Sequence, residues 1–195
     1  MKTILRNIIK NQEIYGRFLN TLSLLEYIGA RKILKSQLQD NIDERVLAHV
    51  SEELRHAQVL KRIALKNAPN VCQTYALEAL FCGEEACQYF QTIDRAVEEI
   101  LGEENRWHAY LLTTLLIELR ATDFYQIFES VLCEVNKTVF RGILIEEEKH
   151  LHEVTEWSSS IPNASQKIEA LKIIEQKEFA KFMQSLEVAL TCNAT

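Results

Sequence analysis

The chain has 195 residues and a formal net charge of -6 at pH 7, which disfavours an extended nucleic-acid-binding surface. Its 5 cysteines are odd in number and form no Cys-x-x-Cys pair, which disfavours a disulfide framework, a four-cysteine iron site and a zinc ribbon. The N-terminal segment turns polar too early for a signal peptide, and no uncharged apolar stretch is long enough to span a bilayer. We therefore expect a cytoplasmic protein without a membrane span.

Helix-forming residues dominate, and only 5 Gly and 2 Pro interrupt the chain, which predicts an all-α fold in a single domain over residues 1–195. The first predicted helix covers residues 5–38, where apolar side chains recur at helical spacing. A turn follows, in which Asp40 or Asn41 is expected to cap the second helix. That second helix is expected to end near Lys66.

Residues 71–101 are predicted to form a helical crossover that is interrupted around Gly83 and closed by Gly102. Three further helices and one loop complete the chain. The helices are predicted over residues 104–130, 133–157 and 164–190, and the loop over residues 158–163. The last of these helices is expected to pack against the outside of the bundle.

The same pattern of acid, Glu, any residue, base and His occurs at residues 52–56 and again at residues 146–150. Within each copy a glutamate and a histidine are three residues apart, so they share one face of a helix, one turn from each other. One such Glu-x-x-His motif is common by chance, and short motifs carry a high risk of false positives. A carboxylate and an imidazole presented in this way twice indicate metal ligands rather than a charged surface.

Two further glutamates, Glu26 and Glu118, lie in strongly apolar segments. An acid on an apolar helix face should be in water unless a cation holds it inside. Glu26 and Glu53 are each about 13 residues from the predicted turn between their helices, so antiparallel packing places both ~20 Å from that turn. Glu118 and Glu147 are matched in the same way around the later turn.

Four carboxylates gathered in a core would repel one another, and two divalent cations would cancel their charge. Oxygen donors combined with imidazole suit iron or manganese better than structural zinc. The predicted metal ligands are Glu26, Glu53, His56, Glu118, Glu147 and His150. A helical bundle with solvated acids, or a metal-free interaction module, is the structural alternative.

The order of these motifs resembles that of the ferritin-like di-iron carboxylate proteins over about residues 8–157. The resemblance implies a ferritin-like four-helix bundle with a helical crossover, to which a C-terminal helix is added. It also implies that Glu26 and His56 hold one iron, that Glu118 and His150 hold the other, and that Glu53 and Glu147 bridge them. Storage ferritins lack the second Glu-x-x-His, so the chain is more similar to the bacterioferritin, rubrerythrin, desaturase and monooxygenase branches.

The acid before each Glu-x-x-His resembles the acid that supports a metal-binding histidine in bacterial multicomponent monooxygenases and acyl-carrier desaturases. Glu52 and Glu146 each precede their histidine by four residues and could accept an imidazole N–H, which would fix the tautomer that binds metal. Arg55 and Lys149 could in turn hold these acids. Charged neighbours of a buried ligand can equally face solvent.

Two residues after Glu118 are candidate catalytic groups. Thr122, one turn along, resembles the hydroxylated residue near the iron in some monooxygenases, although a buried helical threonine can bond its own backbone instead. Tyr125, two turns along, and Trp157, two turns beyond His150, are candidates for a radical or electron-transfer role. Aromatic residues at this spacing more commonly pack in a core.

Three other residues lie near the predicted ligands. His49 is one turn before Glu53 and could approach the site, but we expect an ordinary polar or core histidine. Gly29 and Ala30, one turn after Glu26, are small enough to leave room beside the metals or to permit close helix contact.

The resemblance implies a dioxygen-dependent di-iron oxidoreductase, an oxidase or monooxygenase, that acts on a small apolar substrate. Its expected cofactors are two iron ions, with manganese as an alternative at one position, and dioxygen is the cosubstrate. An external donor protein would supply electrons, and homodimerisation is compatible with such a bundle. The alternative function is ferroxidase or peroxide handling, as in rubrerythrin-like or bacterioferritin-like iron proteins.

Overall fold

The computed structural model describes residues 1–37, 43–102 and 106–192, and every regular element within these ranges is helical. The elements are α1 (Lys2–Lys10), α2 (Gln12–Ser36), α3 (Glu44–Asn67), a 3-10 helix (Leu77–Ala79), α4 (Gly83–Leu101), α5 (Arg106–Glu129), α6 (Glu134–Ser158) and α7 (Ala164–Cys192). The predicted all-α class is therefore confirmed, while the ferritin-like arrangement stays a prediction. No helix in the described ranges is both long enough and apolar enough to cross a membrane.

The chain forms two compact units. Unit 1 contains Met1–Gln88 and the C-terminal segment from Lys181, and unit 2 contains Tyr89–Ala180. The chain passes from unit 1 to unit 2 within α4 and returns within α7. The prediction of one domain over residues 1–195 stays a prediction.

Unit 1 begins with two helices where the sequence predicted one. The prediction of a continuous helix over residues 5–38 is wrong because the backbone is extended at Asn11, between α1 and α2. The Asn11 side chain accepts hydrogen bonds from the backbone N–H groups of Glu13 and Ile14, both at 3.1 Å, and so caps α2. α1 still packs on α2 because Leu5 and Ile8 are fully buried.

α2 and α3 pack tightly against each other, which brings the first predicted ligands together. A methyl group on Gly16 would lie only 2.8 Å from Cβ of Ala68, so this residue sets the approach of α2 to the end of α3. The Ser23 hydroxyl donates to the Ala57 carbonyl at 2.7 Å. The predicted caps of α3, Asp40 and Asn41, lie outside the described residues. The cap is Asp43, whose side chain accepts from the Arg45 N–H at 2.8 Å.

The segment after α3 is irregular up to Gly83, apart from the short 3-10 helix, so the prediction of helix from residue 71 is wrong for its first part. Two buried polar side chains of α2 hold this segment. Asn20 Nδ2 donates to the carbonyls of Thr74 and Ala79 at 2.9 and 2.8 Å. Thr21 exchanges hydrogen bonds at 3.0 Å with the backbone of Phe81. These bonds satisfy backbone groups that a helix would otherwise satisfy internally.

Unit 2 is built on α5 and α6, which pack against each other. α4 ends at Leu101, and the following Gly102 has φ of 73° and donates its N–H to the Glu98 carbonyl at 2.9 Å, as predicted for a helix-terminating glycine. α5 and α6 follow the predicted limits closely, although the predicted first residue of α5, Glu104, lies outside the described residues. Cys133 is the N-cap of α6.

The first half of α7 is tied into unit 2 by a buried ion pair. Arg120 of α5 donates two hydrogen bonds to the Glu175 carboxylate, at 2.8 and 2.7 Å, and its guanidinium lies 4.1 Å from the ring centroid of Phe179. The Tyr89 hydroxyl donates to the same carboxylate at 2.6 Å. Burial and the neighbouring Glu175 carboxylate raise the pKa of Tyr89 well above its ordinary value, so the phenol stays protonated.

We expect Glu175→Gln to lower the free energy of unfolding by about 2–3 kcal/mol, because the Arg120 guanidinium would be left half-buried without its counter-ion. Urea denaturation measures this change. The double variant Glu175→Gln/Arg120→Met should recover part of the loss, since no uncompensated charge remains. Equal stability of wild type and Glu175→Gln would contradict the expectation.

Candidate metal centre

In unit 1, the predicted ligands Glu53 and His56 lie on one buried face of α3, with 5% and 0% of their surface exposed. α2 supplies the half-buried Glu26. One ligand atom of each of these three residues lies within 4.8 Å of the other two. Oε1 of Glu53 is 3.9 Å from Nδ1 of His56. We call Glu26, Glu53 and His56 the first cluster.

In unit 2, three predicted ligands come together in the same way. Glu118 of α5 and Glu147 and His150 of α6 are 4%, 1% and 1% exposed. Nδ1 of His150 is 3.8 Å from Oε2 of Glu147 and 4.0 Å from Oε2 of Glu118. We call these residues the second cluster. The structure thus brings the predicted ligands of each unit together, and their role as metal ligands stays a prediction.

The distances within each cluster fit ligands that share a metal ion. A carboxylate or imidazole atom lies ~2.1 Å from a bound transition metal, so two ligands of one ion are roughly 3–4 Å apart. The His56–Glu53 distance of 3.9 Å and the His150–Glu147 distance of 3.8 Å fall within this range. Both exceed the roughly 3.2 Å limit of an ordinary N–H···O hydrogen bond.

The burial of the carboxylates also favours a bound metal ion. Removing an ionised carboxylate from water is costly unless a positive charge or several hydrogen bonds compensate it. Glu53, Glu118 and Glu147 are each at most 5% exposed. A neutral imidazole adds no positive charge, whereas a divalent cation both neutralises the carboxylates and uses the imidazole nitrogen as a ligand. The buried His/Glu clusters could therefore hold metal.

Gly29, a small residue of α2, lies close to the first cluster. A methyl group added at Gly29 of α2 would lie 3.3 Å from Oε2 of Glu53, which is closer than ordinary van der Waals contact. The next residue, Ala30, is fully buried. Gly29 therefore lies where α2 closely approaches the Glu53 carboxylate of α3, and room for a metal beside it stays a prediction.

The acids that precede each motif are less buried than the ligands. Glu52 and Glu146 are both of intermediate exposure, whereas Arg55 and Lys149 are exposed. This placement is compatible with the predicted hydrogen bond from an imidazole to each acid. The supporting role of Glu52 and Glu146 stays a prediction.

The candidate catalytic residues on α5 differ in their surroundings. Tyr125 is 3% exposed and its ring packs against those of Phe124 and Phe140, with centroids 5.6 and 6.0 Å apart. It therefore belongs to an aromatic core, and a redox role for it stays a prediction. The Thr122 hydroxyl oxygen is buried and makes no hydrogen bond within the described part of the chain. The alternative in which Thr122 bonds its own backbone is wrong.

His49 lies close to the first cluster. This residue is 2% exposed, and its Nε2 lies 3.5 Å from Oε1 of Glu53, four residues along α3. Positions four apart share a helix face, so the sequence already allowed this approach. Burial of the ring also agrees with the expectation of a core histidine.

Comparisons of the chain with protein-family models, with curated proteins and with solved structures found no match.

We expect Gly29→Ala to weaken Mn(II) binding by roughly 10-fold, because the added methyl group would displace the Glu53 carboxylate by a few tenths of an ångström. Titration of the metal-free protein followed by the EPR signal of free Mn(II) measures the affinity. Gly142→Ala on α6 is the matched control, since a methyl group there meets nothing within 4 Å. The control should bind Mn(II) normally and gain about 1 kcal/mol of stability from helix propensity. Indistinguishable Mn(II) affinities of the two variants would contradict the expectation.

Proposed function

We propose that this chain is a dimetal carboxylate oxidoreductase that uses dioxygen to oxidise or oxygenate a small apolar substrate. The observation that carries the proposal is the repetition of one buried carboxylate–imidazole cluster in two units, each with the same Glu-x-x-His spacing. One cluster alone would fit a structural ion pair. Two clusters with the same types of donor favour a pair of chemically similar ions.

The residues of each cluster have defined roles in this proposal, assigned on the ferritin-like resemblance. Glu26 and His56 would hold one ion, and Glu118 and His150 would hold the other. Glu53 and Glu147 would each add a carboxylate to the cluster of their own unit. Carboxylate oxygens with one imidazole per ion favour iron or manganese. Two redox-active ions of this kind would supply electrons to dioxygen when bound.

The surroundings of Glu118 support an apolar substrate. Leu111, Leu115 and Leu116 precede it on α5, and all three are at most 4% exposed. A helix with apolar residues around much of its circumference creates a water-poor environment, which limits side reactions of activated oxygen. The buried Thr122 hydroxyl, one turn after Glu118, could deliver a proton to a reduced oxygen atom from its Oγ1.

The electron balance of the proposed reaction requires an external electron donor. Insertion of one oxygen atom into a C–H bond releases the other atom as water and consumes two electrons and two protons. These electrons would come from an external donor protein. Homodimerisation and a cytoplasmic location stay predictions.

The first test counts metal ions and oxidation events. Metal-free protein given Fe(II) without oxygen should bind about two ions per chain, and air should then oxidise these two ions and no further added iron without a reductant. Rapid-mixing absorbance and an oxygen electrode measure both quantities. Glu118→Ala and His150→Ala should each abolish iron-dependent oxygen consumption, while the exposed His152→Ala should retain it.

Other outcomes separate the alternatives. Continued oxidation and retention of many iron ions per chain would favour the bacterioferritin-like alternative. Rapid consumption of hydrogen peroxide in preference to dioxygen would favour the rubrerythrin-like one. Wild-type protein that binds no iron and keeps its stability would exclude the dimetal proposal altogether.

A further inference from the structure

His49 adds a third histidine to the predicted set of two. It lies on the same buried face of α3 as Glu53 and His56, one turn before Glu53. Its Nε2 is 3.5 Å from the same Glu53 oxygen, Oε1, that lies 3.9 Å from Nδ1 of His56. Two imidazole nitrogens from opposite directions along the helix therefore approach one carboxylate oxygen.

The distance favours a shared ion over a structural hydrogen bond. A charge-assisted N–H···O bond is about 2.7–2.9 Å long, and the His49–Glu53 distance of 3.5 Å is clearly longer. Two ligands of one transition metal ion are roughly 3–4 Å apart, since each lies ~2.1 Å from the metal. One ligand atom of His49 and one of Glu53 lie within 4.8 Å of each other. His49 is also almost fully buried.

The second cluster lacks an equivalent of His49. The position four residues before Glu147 is occupied by Ile143, which is 2% exposed and cannot bind metal. The repeat is therefore broken at one position, where a nitrogen ligand in unit 1 corresponds to an aliphatic side chain in unit 2.

We propose that His49 is a metal ligand, bound through Nε2 to an ion that Glu53 also holds, and that it makes the two metal positions unequal. This inference rests on the proposed dimetal centre. Three imidazoles cannot be divided equally between two ions, so one ion has two nitrogen ligands and the other has one. Later divalent metals of the first transition row gain more from nitrogen donors, so the nitrogen-rich position fills first.

Co(II) alone is a suitable probe, because it favours nitrogen ligands and shifts the NMR signals of bound imidazoles. Wild-type protein should bind two Co(II) ions in two steps that differ in affinity by at least roughly 10-fold. It should show three shifted imidazole N–H signals. His49→Ala should lose one signal and bind its tighter Co(II) roughly 10–100-fold more weakly, so that the two steps merge. His152→Ala, an exposed histidine on α6, is the matched control and should behave as wild type.

A second variant separates ligation from orientation of the carboxylate. His49→Gln keeps a side-chain donor for Glu53 but removes the imidazole, so it should match His49→Ala in Co(II) affinity. Wild-type affinity in His49→Gln would overturn the assignment, because His49 would then only orient Glu53. Unchanged affinity with three signals in His49→Ala would overturn it directly and leave the dimetal centre standing. Wild-type protein that binds no Co(II) would refute both the dimetal centre and this assignment.

Discussion

The burial of carboxylates is the constraint on which this structure depends. Glu53, Glu118 and Glu147 are each removed almost entirely from water. Such groups are costly to bury as isolated anions, and each lies beside an imidazole nitrogen at a distance that a metal ion could span. Gly29, where an added methyl group would lie 3.3 Å from a Glu53 carboxylate oxygen, belongs to α2, the helix that also supplies Glu26.

The helices and the clusters were largely predictable because both depend on short-range periodicity. Two residues three positions apart lie on one helix face in any surroundings. The proximity of Glu and His in each Glu-x-x-His motif therefore follows from the sequence alone. Glu26 could be matched with Glu53, and Glu118 with Glu147, because the rise per residue is constant along a helix. The limits of α5 to α7 were predicted within a few residues for the same reason.

The errors arise where long-range contacts override local preference. Asn11 divides a segment of good helix formers because its side chain caps the second helix, and no apolar pattern reveals that choice. Residues 71–82 have helical composition but bond to Asn20 and Thr21, some 50–60 positions earlier in the chain. The Arg120–Glu175 pair joins residues 55 positions apart. The sequence placed His49 on the same helix face as Glu53, but their separation of 3.5 Å could come only from the structure.

The central claim is that each of the two buried clusters binds a metal ion. Anomalous diffraction at the iron absorption edge, from crystals of protein loaded anaerobically with Fe(II), measures the number and the positions of the ions most directly. The account predicts two iron peaks per chain, one beside the carboxylates and the imidazole of each cluster. A single peak, or iron bound away from either cluster, would contradict it.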